Sequence, residues 1–417
     1  MYSLIPLLVA AAMLLGSNGI QSTLIAIRAN LEGMSPAMIG AMGTAYFAGY
    51  VGGALMATRL ISFVGHIRVF AALAAIAASA VLVFTLSVEP RTWIAVRFVT
   101  GFCSAALFIV IESWLNGVVS NQARGRVFSA YSLVDITAVT ASQFLLPSLG
   151  AETFVPFSVM SMLLALALVP IALSPTAQPA HDDTVRMHLW DTWRISPLAF
   201  AACLTIGLTN SAFRTIGPLY ARQIGLDLTG IAIFMGVGIL GGAFLQIPFG
   251  WLSDRIDRRS VLMVATLGAS LSALALSLGA GNDHRLVYGG AFLFGAFAMP
   301  LYSLAAAHAN DFAKPGQYAA LSAGLLFTFA VGSMIGPLAA SLVMERLGPQ
   351  GLFTYTAAIH ACLIVWALIR TAIRPTVPMS ERVKHVPVIR STPTLPQGDD
   401  ILEPAPLSDT AQPAAGG

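Results

Sequence analysis

Seven residues able to do chemistry stand inside long apolar runs of this chain. Asp135, Glu112, Arg97, Asn18 and Gln21 fall in the first half, Asn210 and Arg214 in the second. An ionised side chain in hydrocarbon costs at least ~3 kcal/mol, so each charge needs a partner or a task. Asp135 lies about eight residues into its run, roughly 12 Å along a helix at 1.5 Å per residue. A carboxyl at that depth is a candidate proton carrier; its other reading is a packing residue that faces polar neighbours. Glu112, near the end of its own run, suits either proton transfer or a structural ion pair. Arg97 lies close behind Arg91 in sequence and either reaches the nearby surface or takes part in coupling.

Asn18, Gln21 and Ser22 crowd one helical face, and Arg214 lies one turn beyond Asn210. Both faces are candidate contacts for a polar or anionic solute. The competing reading is ordinary interhelical hydrogen bonding, worth ~0.6 kcal/mol on average. Tyr46 and Tyr50, also one turn apart, read as packing bulk. His308, Asn310 and Asp311 beside Lys314 superficially suggest metal ligands, but one His and one Asp at a helix end more often cap and pair. The apolar runs hold no Ser/His, paired-Asp or zinc-ligand constellation, and no Gly-rich loop leading to Lys-Ser/Thr. Neither an enzyme nor direct ATP coupling is expected, and no cofactor. Cys103, Cys203 and Cys362 are far apart in sequence and read as small buried hydrophobes.

The charged stretch Gly250-Trp251-Leu252-Ser253-Asp254-Arg255-Ile256-Asp257-Arg258-Arg259 interrupts two apolar runs and is expected to be a tight aqueous turn between membrane helices. Sliding the chain by 192 residues lays Leu252 on Leu60, Asp254 on Ser62, Arg258 on His66, Asn210 on Asn18 and Gly225 on Gly33. A long-period self-similarity of this kind reads as two halves built alike, a common plan of secondary transporters.

The elements that must position these residues follow from hydropathy. The 417 residues are 57% hydrophobic and 10% charged, against about 25% charged in soluble proteins. A net charge of +3 without a basic block gives nucleic acid no footprint. Twelve runs are long enough to span a bilayer: residues 4–27, 37–57, 69–88, 92–115, 127–147, 153–173, 197–219, 228–250, 260–280, 285–307, 318–343 and 351–372. The first is expected to be a membrane helix, not a removable signal, since no basic segment precedes it. Lys and Arg number fifteen on the side of both termini and five on the other, with Arg97 and Arg214 inside the spans. The richer side, with both termini, is expected to be cytoplasmic. Residues 175–196, with Pro175, Pro179, Asp182 and Asp183, read as a linker between two six-helix halves. The tail from 373 is expected to be disordered from its Pro, Ser, Thr and acidic content.

Several of these stretches resemble the major facilitator superfamily. Gly250 to Arg259 fits its loop signature Gly-x-Leu-x-Asp-Arg-x-x-Arg-Arg; Arg97-Phe-Val-Thr-Gly101 resembles its fourth-helix Arg-x-x-x-Gly motif; Gly332-Ser-Met-Ile-Gly336-Pro337 resembles its Gly-Pro helix motif. The stretch from Arg97 to Tyr131, with Glu112, Ser113, Arg124 and Arg126, is similar to the YcaD-like bacterial branch. The first-half loop departs from the signature, because Ser62 stands where its Asp would be.

The resemblance implies an all-α membrane protein of two pseudo-symmetric six-helix bundles, at residues 1–174 and 197–372. It implies a secondary transporter of a small organic solute in the bacterial inner membrane; a monomer is expected. By its depth Asp135 is expected to carry protons, with Glu112 and Arg97 as partners, and the packing that the resemblance implies puts Arg59, Arg68 or Arg126 within reach of Glu112. Asn18, Gln21, Asn210 and Arg214 are expected to touch the substrate. Arg59, Arg68, Gly250, Asp254, Arg255, Arg258 and Arg259 are expected to form a gate, or else merely to fix topology. Few buried cations and a largely apolar cavity favour efflux of partly hydrophobic compounds, whereas Arg214 leans toward uptake of small organic anions. The different-class alternative is a sensor that uses the same fold with its tail as output.

Overall fold

The computed structural model describes residues 4–119, 121–173, 189–279, 283–314 and 317–373. The tail from 374 and linker residues 174–188 lie outside them, with the disorder expected of the tail. Every element is a helix: α1 (Ile5–Leu31), α2 (Pro36–Val64), α3 (His66–Leu86), α4 (Pro90–Val118), α5 (Asn121–Leu149), α6 (Val155–Leu166), α7 (Leu168–Ala172), α8 (Leu189–Ile195), α9 (Pro197–Gln223), α10 (Leu228–Ser253), α11 (Arg258–Leu278), α12 (His284–Ala298), α13 (Leu301–Asn310), α14 (Tyr318–Leu347) and α15 (Gly351–Ile373).

Taking α6 with α7 and α12 with α13 as single broken crossings gives the expected twelve. Both breaks have a proline cause. Pro170 cannot donate to the Leu166 carbonyl and Pro300 cannot donate to that of Ala296, and each ring crowds the carbonyl it leaves bare. Eleven crossings are long and apolar enough to span a bilayer by composition alone. The twelfth, α9, has the length but carries Thr205, Thr209, Asn210, Ser211 and Arg214. Helix starts follow capping chemistry: Ser35 accepts from the Met38 N–H and Asp227 from that of Gly230, while Pro36, Pro90 and Pro197 occupy first helical positions.

The helices overrun the apolar runs, which corrects one expectation. α2 continues through Arg59 and Ser62 to Val64, and Gly65 at φ 84° is the one residue separating it from α3. Likewise Gly250 to Ser253 belong to α10 and Arg258 with Arg259 open α11, so the aqueous turn shrinks to Asp254–Asp257. Hydropathy marks where hydrocarbon ends, whereas a helix continues as long as its backbone bonds are worth more than solvation of the bare groups.

The crossings form two pseudo-symmetric bundles, α1–α7 and α9–α15, and the repeat register is visible in their packing. A Cβ on Gly49 of α2 would meet the Phe98 carbonyl oxygen of α4 at 1.9 Å; one on its register mate Gly241 of α10 would meet that of Phe292 of α12 at 2.1 Å. Small residues let backbones approach this closely where no aqueous hydrophobic force drives association. Asn30 and Arg222 are register mates as well, 192 residues apart, and they hydrogen-bond to each other at 3.1 Å. Equivalent residues that touch lie on the pseudo-two-fold axis, which therefore passes between the ends of α1 and α9.

Candidate functional site

Arg97 lies two turns into α4, whose start is fixed by Pro90 and by the Glu89 carboxylate. That carboxylate accepts the Thr92 backbone N–H and hydroxyl, both at 2.9 Å. These bonds, the backbone one foremost, hold the Glu89 carboxyl below its ordinary range. One turn beyond Arg97, Gly101 lets α4 ride against the Tyr46 carbonyl of α2, where a Cβ would sit 2.0 Å from its oxygen. That approach brings the Tyr46 ring within 4.2 Å of the guanidinium carbon.

The same guanidinium donates through Nη1 to Gln21 Oε1 at 3.0 Å, and the Tyr46 hydroxyl accepts from Asn18 Nδ2 at 2.5 Å. Asn18, Gln21, Tyr46 and Arg97 thus form one cluster that ties α1, α2 and α4 together. Arg97 is only 4% exposed and does not reach the surface. Among the described residues no carboxylate pairs with it, and its buried Nε lacks an acceptor. A desolvated cation held by an amide and a ring face, with one N–H to spare, suits an anionic or strongly polar visitor. A cavity of about 20 Å³, room for about one water, borders the cluster at Asn18, Gln21, Thr100 and Ser104.

Asp135 sits on a buried stripe of α5 formed by Tyr131, Asp135, Val139, Gln143 and Leu146. The stripe faces α1, where Gln143 accepts from Thr23 at 2.6 Å and donates to the Gly19 carbonyl at 3.0 Å. Asp135 is 3% exposed and Glu112 4%, so both carboxyls are interior. Glu112 and Arg97 share α4 but lie about 22 Å apart along its axis at 1.5 Å per residue, so they serve different depths. Arg59, Arg68 and Arg126, the expected companions of Glu112, are exposed. In the other bundle Asn210 and Arg214 are half-buried and share one face of α9.

The signature residues are more deeply set than a solvated turn allows. Arg258 is 2% and Arg259 3% exposed. Arg258 donates to the Ala307 carbonyl at 2.6 Å and to Asp311 at 2.8 Å, both at the end of α13, and to Asp254 at 3.2 Å. Arg259 faces the Phe312 ring at 5.9 Å, and Arg255 lies over Trp251 at 3.8 Å. Asp311 therefore pairs, as its place at a helix end suggested, and it fastens α11 to α13 inside one bundle. Asp311→Asn keeps an acceptor but removes the charge. We expect it to cost about 2 kcal/mol of unfolding free energy in detergent, the usual scale of a hydrogen bond to an ionised group. In the first bundle His66 replaces Arg258 in register, and its Nε2 meets the Ser113 hydroxyl at 3.2 Å.

Contacts between the bundles gather in the half of the molecule away from the Arg-rich loops. Thr44 donates to the Met334 carbonyl at 2.6 Å, and Asn30 accepts from Arg222. A Cβ on Gly40 would meet Ser341, one on Gly43 would meet Thr215 and Pro337, and one on Gly236 would meet Phe144.

The sequence reading missed Tyr46 as a site residue and the burial of Arg258 and Arg259. The Tyr46/Tyr50 spacing was the available signal for the first. Nothing in the local pattern signals the second, since Asp311 lies far along the chain.

Comparison with known proteins agrees with this architecture. An uncharacterized MFS-type transporter of Enterobacter sp. (strain 638) is 25% identical over 357 residues, 85% of this chain and 92% of that protein. The uncharacterized MFS-type transporter YcaD of Escherichia coli (strain SE11) is 25% identical over 349 residues, covering 83% and 90%. The crystal structure of the nucleoside transporter NupG superposes with a TM-score of 0.77 at 13% identity over 88% of this chain and 99% of that one, a likeness of fold alone. The profile of the Major Facilitator Superfamily matches residues 7–280 and 199–402, so the chain belongs to that superfamily of membrane transporters.

Proposed function

We propose that the protein is a proton-coupled secondary transporter of the bacterial inner membrane, working by alternating access between bundles bounded at residues 1–174 and 197–372. Both termini and the Arg-rich loops are placed in the cytoplasm, because Lys and Arg crowd that side. The single observation that carries the reading is the buried Arg97, held between Gln21 and Tyr46 with no carboxylate partner among the described residues. With Asn18 alongside and Asn210 and Arg214 on the equivalent helix of the second bundle, it favours a small solute with an anionic or polar group on a partly hydrophobic body. Largely apolar surroundings favour export over uptake. The chain acts as a monomer. Asp135 carries the proton, with Glu112 assisting nearer the cytoplasm. The seam on the outer half is the closed gate of an inward-facing state, and the Asp254–Arg258–Asp311 set holds the cytoplasmic end of the second bundle for the opposite state.

The test begins with ligands. Purified protein in detergent is heated against panels of organic anions and of amphipathic compounds; a ligand at a hundredfold excess over its dissociation constant stabilises the fold by ~2.7 kcal/mol. Arg97→Leu removes the charged donor that would pair with the solute's anionic or polar group, a hydrogen bond worth up to ~3 kcal/mol, so affinity for the hit should fall by up to about a hundredfold. Arg97→Lys should recover only part of it, because an ammonium lacks the planar fork. Unchanged affinity in Arg97→Leu would remove the cluster from the binding site. A protein that binds no compound of either panel, yet signals through its tail, would favour the sensor reading.

A further inference from the structure

The linker ends in α8, a short helix that the transport reading does not use. At 100° per residue, Leu189, Trp190, Trp193 and Arg194 share one side of it, and Thr192 points the other way. Thr192 is fully buried against α14, where a Cβ on Gly324 would meet its hydroxyl oxygen at 2.0 Å. Thr192 therefore pins the helix to α14, while Leu189, Trp190 and Arg194 are exposed and Trp193 is half-buried.

The aromatic side of α8 continues onto the last turns of α15. Trp193 stacks on Trp366 at 5.7 Å with planes 26° apart and meets Phe200 edge-on at 5.3 Å. Trp366 Nε1 donates to the Pro197 carbonyl at the start of α9. Two arginines lie over this aromatic floor: Arg194 over Trp190 at 5.4 Å and Arg370 over Trp366 at 5.9 Å. Trp190 is 60% exposed and Ile369 45%. Among the described residues neither arginine has a carboxylate partner.

Tryptophans and arginines at the ends of two spans mark the headgroup level of a bilayer, where an indole has one apolar and one polar side to satisfy. Two guanidinium groups spread on indole faces, without a carboxylate partner among the described residues and flanked by exposed apolar side chains, match a phosphate with hydrocarbon attached. We propose that the α8–α15 cluster is a binding site for an anionic phospholipid, with Arg194 and Arg370 on the headgroup phosphate and Trp190, Trp193 and Ile369 against the upper acyl chains. The bound lipid would tie the linker helix to the second bundle.

The test titrates the delipidated full-length protein in detergent with phosphatidylglycerol, phosphatidylcholine or inorganic phosphate, with bound lipid counted by native mass spectrometry. Phosphatidylglycerol should be preferred over phosphatidylcholine roughly tenfold, given two cations at the surface. The Arg194→Gln/Arg370→Gln double variant should bind both lipids alike, and Arg194→Lys/Arg370→Lys should keep most of the preference. Equal binding of the two lipids by the wild type, or an undiminished preference in the Gln variant, would overturn the proposal. So would loss of preference in the Lys variant, which keeps the charge. Displacement of phosphatidylglycerol by millimolar inorganic phosphate would reassign the site to a soluble anion and overturn the lipid assignment.

Discussion

Asp135→Asn is expected to abolish flux driven by a pH gradient while leaving the helical fold intact. The second half of that expectation rests on volume and position. Asn replaces Asp atom for atom on a buried stripe shared with Tyr131, Val139, Gln143 and Leu146, of which Gln143 keeps its hydrogen bonds to Thr23 and Gly19 of α1. The first half rests on what the substitution removes, the one proton that this buried group can carry. The helix bearing it also reaches the other bundle. Phe144 lies half a helical circle round α5 from Asp135, and its ring is within 3.2 Å of where a Cβ on Gly236 of α10 would stand. A change in charge on one side of α5 therefore acts on an element whose opposite side lines the seam. The measurement compares flux into vesicles under an imposed pH gradient with counterflow at equal pH, using a ligand found by thermal stabilisation. Loss of the first with survival of the second is expected. Unchanged pH-driven flux would remove Asp135 from the mechanism.

Locking the seam should stop transport altogether. A Cβ on Gly40 would lie 2.7 Å from that of Ser341, whereas a disulfide wants about 3.8 Å, so the bridge needs the helices to yield by about one ångström. In the Gly40→Cys/Ser341→Cys variant, oxidation is expected to take flux to background and reduction to restore it. Cys103 and Cys203 are buried as expected, but Cys362 is exposed, contrary to the sequence reading, so Cys362→Ser is built in beforehand. A variant whose cross-link is complete but whose flux matches the reduced protein would mean that this seam never opens during turnover.

Much of this architecture was legible before any coordinates, because a bilayer imposes one dominant rule. Backbone polar groups in hydrocarbon must be satisfied internally, so each long apolar run had to be a helix. The 192-residue register was legible too, and Asn30 bonded to Arg222 with Gly49 and Gly241 in matching seats gives it physical form. Three features were not. The overrun of α2 to Val64 and the early start of α11 depend on helix continuity beyond the hydrocarbon, which hydropathy does not record. The burial of Arg258 depends on Asp311 and the Ala307 carbonyl, contributed by a helix two crossings' length away in sequence. Tyr46 read as bulk because its phenol finds Asn18, and its ring finds Arg97, only once Gly101 has drawn α2 and α4 together. The last two misses are tertiary contacts between groups that look unremarkable in their own segments.

Alternating access is most directly tested by distances on both faces of one protein. Spin labels at Glu32 and Gln223, exposed beside the Asn30–Arg222 bond, report the outer face. A second pair at Phe63 and Ile256, exposed at the Arg-rich ends of α2 and α10, reports the other. Pulsed electron resonance is recorded with and without the stabilising ligand, at neutral and acid pH. Rocking bundles predict that the outer distance lengthens as the inner one shortens, in the same samples and to linked extents. Two distributions that stay fixed, or that widen together, would contradict the account.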